Sequence, residues 1–128
     1  GSWVSTGSTQ YYAAYERRIN GTPSFECSNS NDLYTTKIGL ITADEAMYAG
    51  GTNRNNYGYY LYTGNYYWTM SPYYFDSTGF AYVFFVSNYG YLNNYGVLGA
   101  GSVRPVISLS TNNTITGSGT INDPYVVV

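Results

Sequence analysis

From Asn55 to Val103 the chain runs through 49 residues with one charged side chain, Asp76, and no helical periodicity. Twelve of the 18 tyrosines fall in this stretch, and Lys, Glu, Gln and His are absent from it. Short strands and turns are what such a stretch can form. The pattern predicts strands at Tyr57–Tyr62, Tyr66–Met70, Ala81–Val86, Tyr91-Leu92 and Val103–Leu109, with a turn at Tyr89-Gly90. Beyond it, Gly117-Ser118-Gly119 and Asn122-Asp123-Pro124 precede the apolar run Tyr125–Val128, which predicts a closing hairpin over Thr114–Val128 that ties down the C-terminus.

The helical signals all lie earlier. Trp3-Val4 opens as a short strand, and Ser8 or Thr9 can cap a helix that places Tyr11, Tyr15 and Ile19 on one face and stops at Asn20-Gly21. Thr22 to Thr36 reads as an ordered polar loop. The short strand Ile38–Ile41 leads into Thr42-Ala43-Asp44-Glu45, a capping box that opens a second helix through Ala46, Met47 and Ala49 and stops at Gly50-Gly51. Helices segregated from an antiparallel, turn-rich half define an α+β class: two short helices packed on small antiparallel sheets, in one domain over residues 1–128. Gly1-Ser2 reads as a cloning remnant, with the natural protein expected to continue upstream.

Composition removes several functions. Charged residues make up 9%, against about a quarter in an average domain, yet aromatic residues reach 20%, the reverse of a disordered chain. A net charge of -2 and a pI near 4.7 give phosphates nothing to bind, so nucleic acid is not an expected partner. With no His and one Cys, neither a zinc or transition-metal site nor an internal disulfide is expected. Cys27, with no base to activate it, reads as a small structural thiol. No run is long and apolar enough to insert into a membrane. Paired carboxylates for hydrolysis are missing too, so no enzyme, catalytic residue or cofactor is expected.

Two further elements, Tyr67-Trp68-Thr69-Met70-Ser71-Pro72 and Gly101-Ser102-Val103-Arg104-Pro105-Val106-Ile107, bracket a Val83-x-x-Val86 strand and Gly90-Tyr91-Leu92. With two early helices, this layout resembles the C-type-lectin-fold domains related to formylglycine-generating enzymes. It is most similar to the bacterial and phage variable proteins of diversity-generating retroelements. In that family a reverse transcriptase randomises adenines in a repeat near the C-terminus, and the fold displays the altered residues as a binding site. Changing both adenines of an Asn codon that ends in a pyrimidine can reach Tyr, Asn, Ser, Asp, Phe, Gly, Ala and Leu among others, but cannot reach Lys, Glu, Gln, Met or Trp. Asn55–Val103 follows that pattern outside its Trp68–Pro72 element. The chain departs from the sugar-binding lectins, since it lacks Glu-Pro-Asn, Gln-Pro-Asp and Trp-Asn-Asp calcium elements and offers only Asp76 and Asp123 in this half. It departs from the enzymes as well, because one cysteine cannot supply their pair.

The expected scaffold includes Tyr66, Tyr67, Trp68 and Met70, with Val83, Val86, Leu92 and Val97 facing the core and Tyr11, Tyr15 and Tyr48 half-buried with wet hydroxyls. The expected ligand-binding set begins after Pro72 with Tyr73, Tyr74, Asp76, Ser77 and Phe80. It continues with Phe85, Ser87, Asn88, Tyr89, Tyr91, Asn93, Asn94, Tyr95 and Leu98. Tyr offers stiff contact area at low entropic cost, and Ser and Asn offer adaptable hydrogen bonds. Arg104 is expected to pair with Asp44 or Glu45. These features together imply a non-enzymatic binding module. Its diversified Tyr/Asn-rich surface would take a surface ligand, a protein in the first instance. It would be displayed outside the cell, on a bacterial surface, pilus or phage tail, by an N-terminal anchor, pilin or tail segment. The rival readings are a fixed-specificity carbohydrate-binding adhesin and a structural pilus or coat subunit.

Overall fold

The Thr42 capping box closes in the computed structural model, which describes residues 8–26, 35–120 and 122–128. The Glu45 N–H donates to Thr42 Oγ1 (3.1 Å), and the Thr42 N–H donates to Glu45 Oε2 (2.7 Å). Helix α2 (Ala43–Tyr48) follows, and it ends at Gly50-Gly51 as expected. Ala43 and Ala46 are fully buried against the sheet, and the Ala43 N–H donates to the buried Ser71 hydroxyl (2.9 Å). Small side chains permit this close approach, and the cap supplies the helix end with donors' partners. Thr42→Ala is expected to cost about 1 kcal/mol, read as a lower urea midpoint at unchanged m.

Helix α1 begins later than the sequence suggests. Gln10–Tyr11 form strand β1, antiparallel to Phe75 and Tyr74, and α1 covers Ala13–Asn20 with Tyr12 as an N-cap whose side chain makes no capping bond. Ser8 instead accepts from Gln10 Nε2 (3.0 Å). Pairing with a sheet edge satisfies the Gln10–Tyr12 backbone better than one more helical turn would, and the Tyr12 N–H continues the ladder to Tyr73 O (3.1 Å). Tyr11 therefore lies on a strand, although its ring still stacks on Tyr15 at 4.1 Å. The buried helical residue is Ala14, and Ile19 is 57% exposed. The predicted stop at Gly21 is present, with φ 65°.

The remaining elements are β2 (Gly39–Leu40), β3 (Tyr67–Phe75), β4 (Ala81–Val86), β5 (Leu92–Gly96), β6 (Pro105–Val106), β7 (Ile115–Thr116) and β8 (Val126–Val127). One four-stranded antiparallel sheet has the order β1-β3-β4-β5, and β2-β6 and β7-β8 form two-stranded antiparallel sheets. The architecture is α+β, two short helices on an antiparallel sheet. Tyr57–Tyr62 is a chain of turns rather than a strand, although Tyr59 is buried in the core. The predicted strand Val103–Leu109 reduces to β6, and β5 runs on from Leu92 to Gly96. The C-terminal hairpin forms, but all four of its strand residues are exposed. Trp3-Val4 and Cys27 lie outside the described residues.

Strand alternation decides the two faces of the large sheet. Tyr67, Thr69, Ser71 and Tyr73 of β3 point inward with Phe84 and Val86 of β4 and Leu92 of β5. Trp68, Met70, Val83 and Phe85 point the other way. The expected core membership of Tyr66, Trp68 and Met70 is thus corrected: Tyr66 is 43% and Met70 49% exposed, and Trp68 is half-buried. Val83 and Val86 cannot share a face, because they are an odd number of residues apart. Val83 is half-buried and Val97 exposed, while the inward position belongs to Phe84. A register shift around Pro72, which has no N–H to give the ladder, brings Tyr74 opposite Tyr82.

The expected Arg104 ion pair is replaced by another. Arg104 Nη1 donates to Leu61 O (2.9 Å), and its guanidinium lies 5.4 Å from the Tyr67 ring centre. The Tyr67 hydroxyl donates to the same carbonyl (2.8 Å), which pins the turn-rich segment to the core. Asp44 pairs with Arg17 instead. Tyr48 is exposed rather than half-buried, with its ring stacked on Phe25 at 4.4 Å and its hydroxyl donating to Pro23 O.

Candidate functional site

The outward face of β3, β4 and β5 gathers aromatic rings from four separate segments. Phe85 is opposite Trp68 on one side and Asn93 on the other, and Val83 is opposite Tyr95, so these side chains share one face. Phe85 touches Tyr66 (6.3 Å between ring centres), Tyr95 (5.8 Å) and Tyr91 (6.2 Å). Trp68 touches Tyr95 at 5.8 Å. Tyr89 carries the patch on from Tyr91 (6.3 Å) to Tyr57 (6.5 Å). No charged side chain is among these residues. Rings in such contact hold one another in place, which leaves little rotamer freedom to lose on binding.

The turn that aims Tyr89 and Tyr91 is built by Ser87. Its hydroxyl accepts from the Tyr89 and Tyr91 N–H groups (3.0 and 3.2 Å), and the Gly90 N–H donates to Ser87 O. Gly90 has φ 75°, and a Cβ there would lie 2.0 Å from Asn56 O, so only glycine fits.

Of the expected ligand-binding residues, Phe85, Tyr89, Tyr91, Asn93 and Tyr95 meet on this face, with Asn88 exposed at its turn. Tyr73 and Ser87 do not reach the surface. Tyr73 is 5% exposed, and its hydroxyl accepts from Arg18 Nη2 (2.8 Å); burial raises its pKa, and the Arg18 charge opposes that rise. Ser87 is 1% exposed and serves the turn. Tyr74 stacks on Tyr82 at 4.3 Å on the α1 side of the sheet, where burial pushes its hydroxyl up to about 12. Asp76 caps the β3–β4 turn, with Oδ1 accepting from the Phe80 N–H, the Thr78 N–H and the Thr78 hydroxyl. The Phe80 N–H above all, then Thr78, holds its carboxyl below the usual range. Ser77 is exposed at that tip.

Phe80, Asn94, Tyr95 and Leu98 meet elsewhere, around a groove of about 410 Å³ at the end of β5. Tyr95 belongs to both surfaces. The sequence reading missed Tyr57, Tyr66 and Trp68, three rings of the outer face. The period of two counted from Tyr67 and Phe84 would have placed Trp68 and Phe85 together, had those two been taken as the inward markers. Among the described residues no group of three or more His, Cys, Asp or Glu side chains could hold a metal ion, and no helix is long and apolar enough to cross a membrane. No protein-family model, curated protein or solved structure matches the chain.

Proposed function

We propose that this chain is a non-enzymatic binding module of C-type-lectin type, a variable protein of a diversity-generating retroelement, whose outer sheet face takes a protein ligand. One observation carries the reading: an uncharged patch of mutually touching rings, Tyr57, Tyr66, Trp68, Phe85, Tyr89, Tyr91 and Tyr95, on one side of the sheet. Contiguous exposed aromatic surface rimmed by polar residues marks interaction sites, and Tyr and Trp dominate binding hot spots. A protein fits better than a sugar chain. The rings around Phe85 and Tyr95 tilt at 42–87° to one another, so they offer no flat stacking platform for a sugar ring. The module's place is outside the cell, on a bacterial surface, pilus or phage tail, carried by an N-terminal anchor, pilin or tail segment.

The test is the DNA beside the coding sequence. A near-identical repeat differing mainly at adenines, next to a reverse transcriptase gene, is expected. Its differences should fall in the codons of Phe85, Tyr89, Tyr91, Asn93 and Tyr95 and spare those of Phe84, Val86 and Leu92. No such repeat would leave a fixed-specificity adhesin or a structural subunit; differences in the buried codons would move the site off this face.

A further inference from the structure

Strand β5 is an edge of the four-stranded sheet, and its outward main-chain groups are covered at Leu92 but open from Asn94 to the Gly96 N–H. The Ser87 N–H donates to Tyr91 O and the Val97 N–H to Ala81 O, so Tyr91, Asn93, Tyr95 and Val97 spend their main-chain groups on β4. The groups of Leu92, Asn94 and Gly96 therefore point away from β4. Leu92 is used, since its N–H donates to Thr52 O (2.7 Å) and its carbonyl accepts from Arg18 Nη1 (3.2 Å). Gly96 O accepts from the Gly99 N–H (2.9 Å). The Asn94 N–H and C=O and the Gly96 N–H bond to nothing else among the described residues. An unguarded strand edge of this kind recruits another strand.

We propose that this edge takes one extended segment of a partner protein as an added strand. Alternate apolar side chains of that segment would enter the groove between Phe80, Tyr95 and Leu98. The proposal rests on the binding reading above and names the form of ligand. The groove's volume of about 410 Å³ holds one or two side chains, and its lining carries no charge. Leu98 stands 83% exposed at its rim with no role in the core. Tyr95 joins the groove to the aromatic face, so an added strand would run on from the surface already assigned to the ligand. Main-chain bonds would supply affinity, and the groove would select the side chain.

The experiment titrates the ¹⁵N-labelled full chain with a capped heptapeptide of alternating Thr and Leu, followed by amide correlation spectra. The Asn94 and Gly96 amides are expected to shift and saturate. The same peptide N-methylated at its edge-facing amides should bind at least about tenfold more weakly, because the bond donors are gone. Leu98→Ser, which removes an exposed side chain and leaves the fold's spectrum intact, should weaken the parent peptide in the same way. Shifts confined to the Trp68 indole and the outer face, with N-methylation harmless, would overturn the added strand while leaving the aromatic site standing. Concentration-dependent broadening of Asn94 and Gly96 without peptide would give the edge to a second copy and overturn the partner segment. No shift with the peptide would overturn it as well, whereas the diversified-module reading is tested separately by the repeat beside the coding sequence.

Discussion

Phe84→Ala is expected to lower the free energy of unfolding by about 3–5 kcal/mol, while Phe85→Ala, one residue on, costs about 1–2 kcal/mol. Phe84 is fully buried, with its ring 4.5 Å from that of Tyr73 and its neighbours Val86 and Leu92 also sealed from solvent. Deleting it leaves a cavity that its neighbours cannot fill, because Ala43 and Ala46 in the same core are already fully buried and have no longer side chain to extend. Phe85 is half-buried on the opposite face, where its ring meets those of Tyr66, Tyr91 and Tyr95. Its loss removes ring contacts and opens no internal void. Urea unfolding of both variants reads the difference, and Phe85→Ala should weaken ligand binding where Phe84→Ala acts through stability alone. A larger loss at Phe85 would mean that the two faces of the sheet are exchanged, and the site with them.

The cap of α2 and the glycine turns of this fold were legible because their signals are local. The Thr42–Glu45 box needs two side chains three residues apart, and Gly21 needs only its own backbone at positive φ. Ala81–Val86 was bounded correctly for the same reason, since turn residues stand on both sides. The start of α1 is not legible locally, because the alternative for Gln10 and Tyr11 is a strand some 64 residues away, at Tyr74 and Phe75. Tyr57–Tyr62 has strand composition, but its hydrogen bonds go to turns and to Arg104, Tyr67 and the Ser87–Gly90 segment.

The makeup of the outer sheet face was legible only in part. A tyrosine-rich, uncharged stretch pointed to a surface, and five of the expected residues do share one. The valine spacing marks Val83 as an inward position, whereas in β4 the larger Phe84 holds that place and Val83 faces out with Phe85. Trp68 stands in a fixed-looking element that suggests frame, yet that element alternates like any strand and presents Trp68 outward. Ion pairing was the least visible of all. Arg17 and Asp44 are 27 residues apart, and only the packing of α1 on α2 makes them partners rather than Arg104 and Asp44.

That pair carries the second large effect. Arg17 Nε and Nη2 donate to the two oxygens of Asp44, both at 2.6 Å, and the Ser24 N–H donates to Oδ1 (2.9 Å). Asp44 is buried in the first turn of α2, so Asp44→Ala strands the Ser24 N–H and removes the bidentate partner of a largely covered guanidinium. Breaking a buried pair from one side costs about 3–5 kcal/mol; because the Arg17 side chain keeps 27% of its exposure, about 2–3 kcal/mol is expected here. Burial alone would push the Asp44 carboxyl up, but the Arg17 hydrogen bonds and charge, with the Ser24 N–H, outweigh it and hold the pKa below 3.8. A carboxyl whose pKa is lower in the folded state than in the unfolded one stabilises fully above the unfolded value and loses that contribution as pH falls through the folded one. The wild-type protein should therefore lose stability as pH drops below about 4. Asp44→Asn should be less stable at neutral pH and should fall less steeply in that acid window, since the Asp76 contribution is common to both and cancels in the difference. Parallel stability curves for the two proteins below pH 4 would assign the acid sensitivity elsewhere and would reduce the Arg17–Asp44 pair to a contact of no energetic weight.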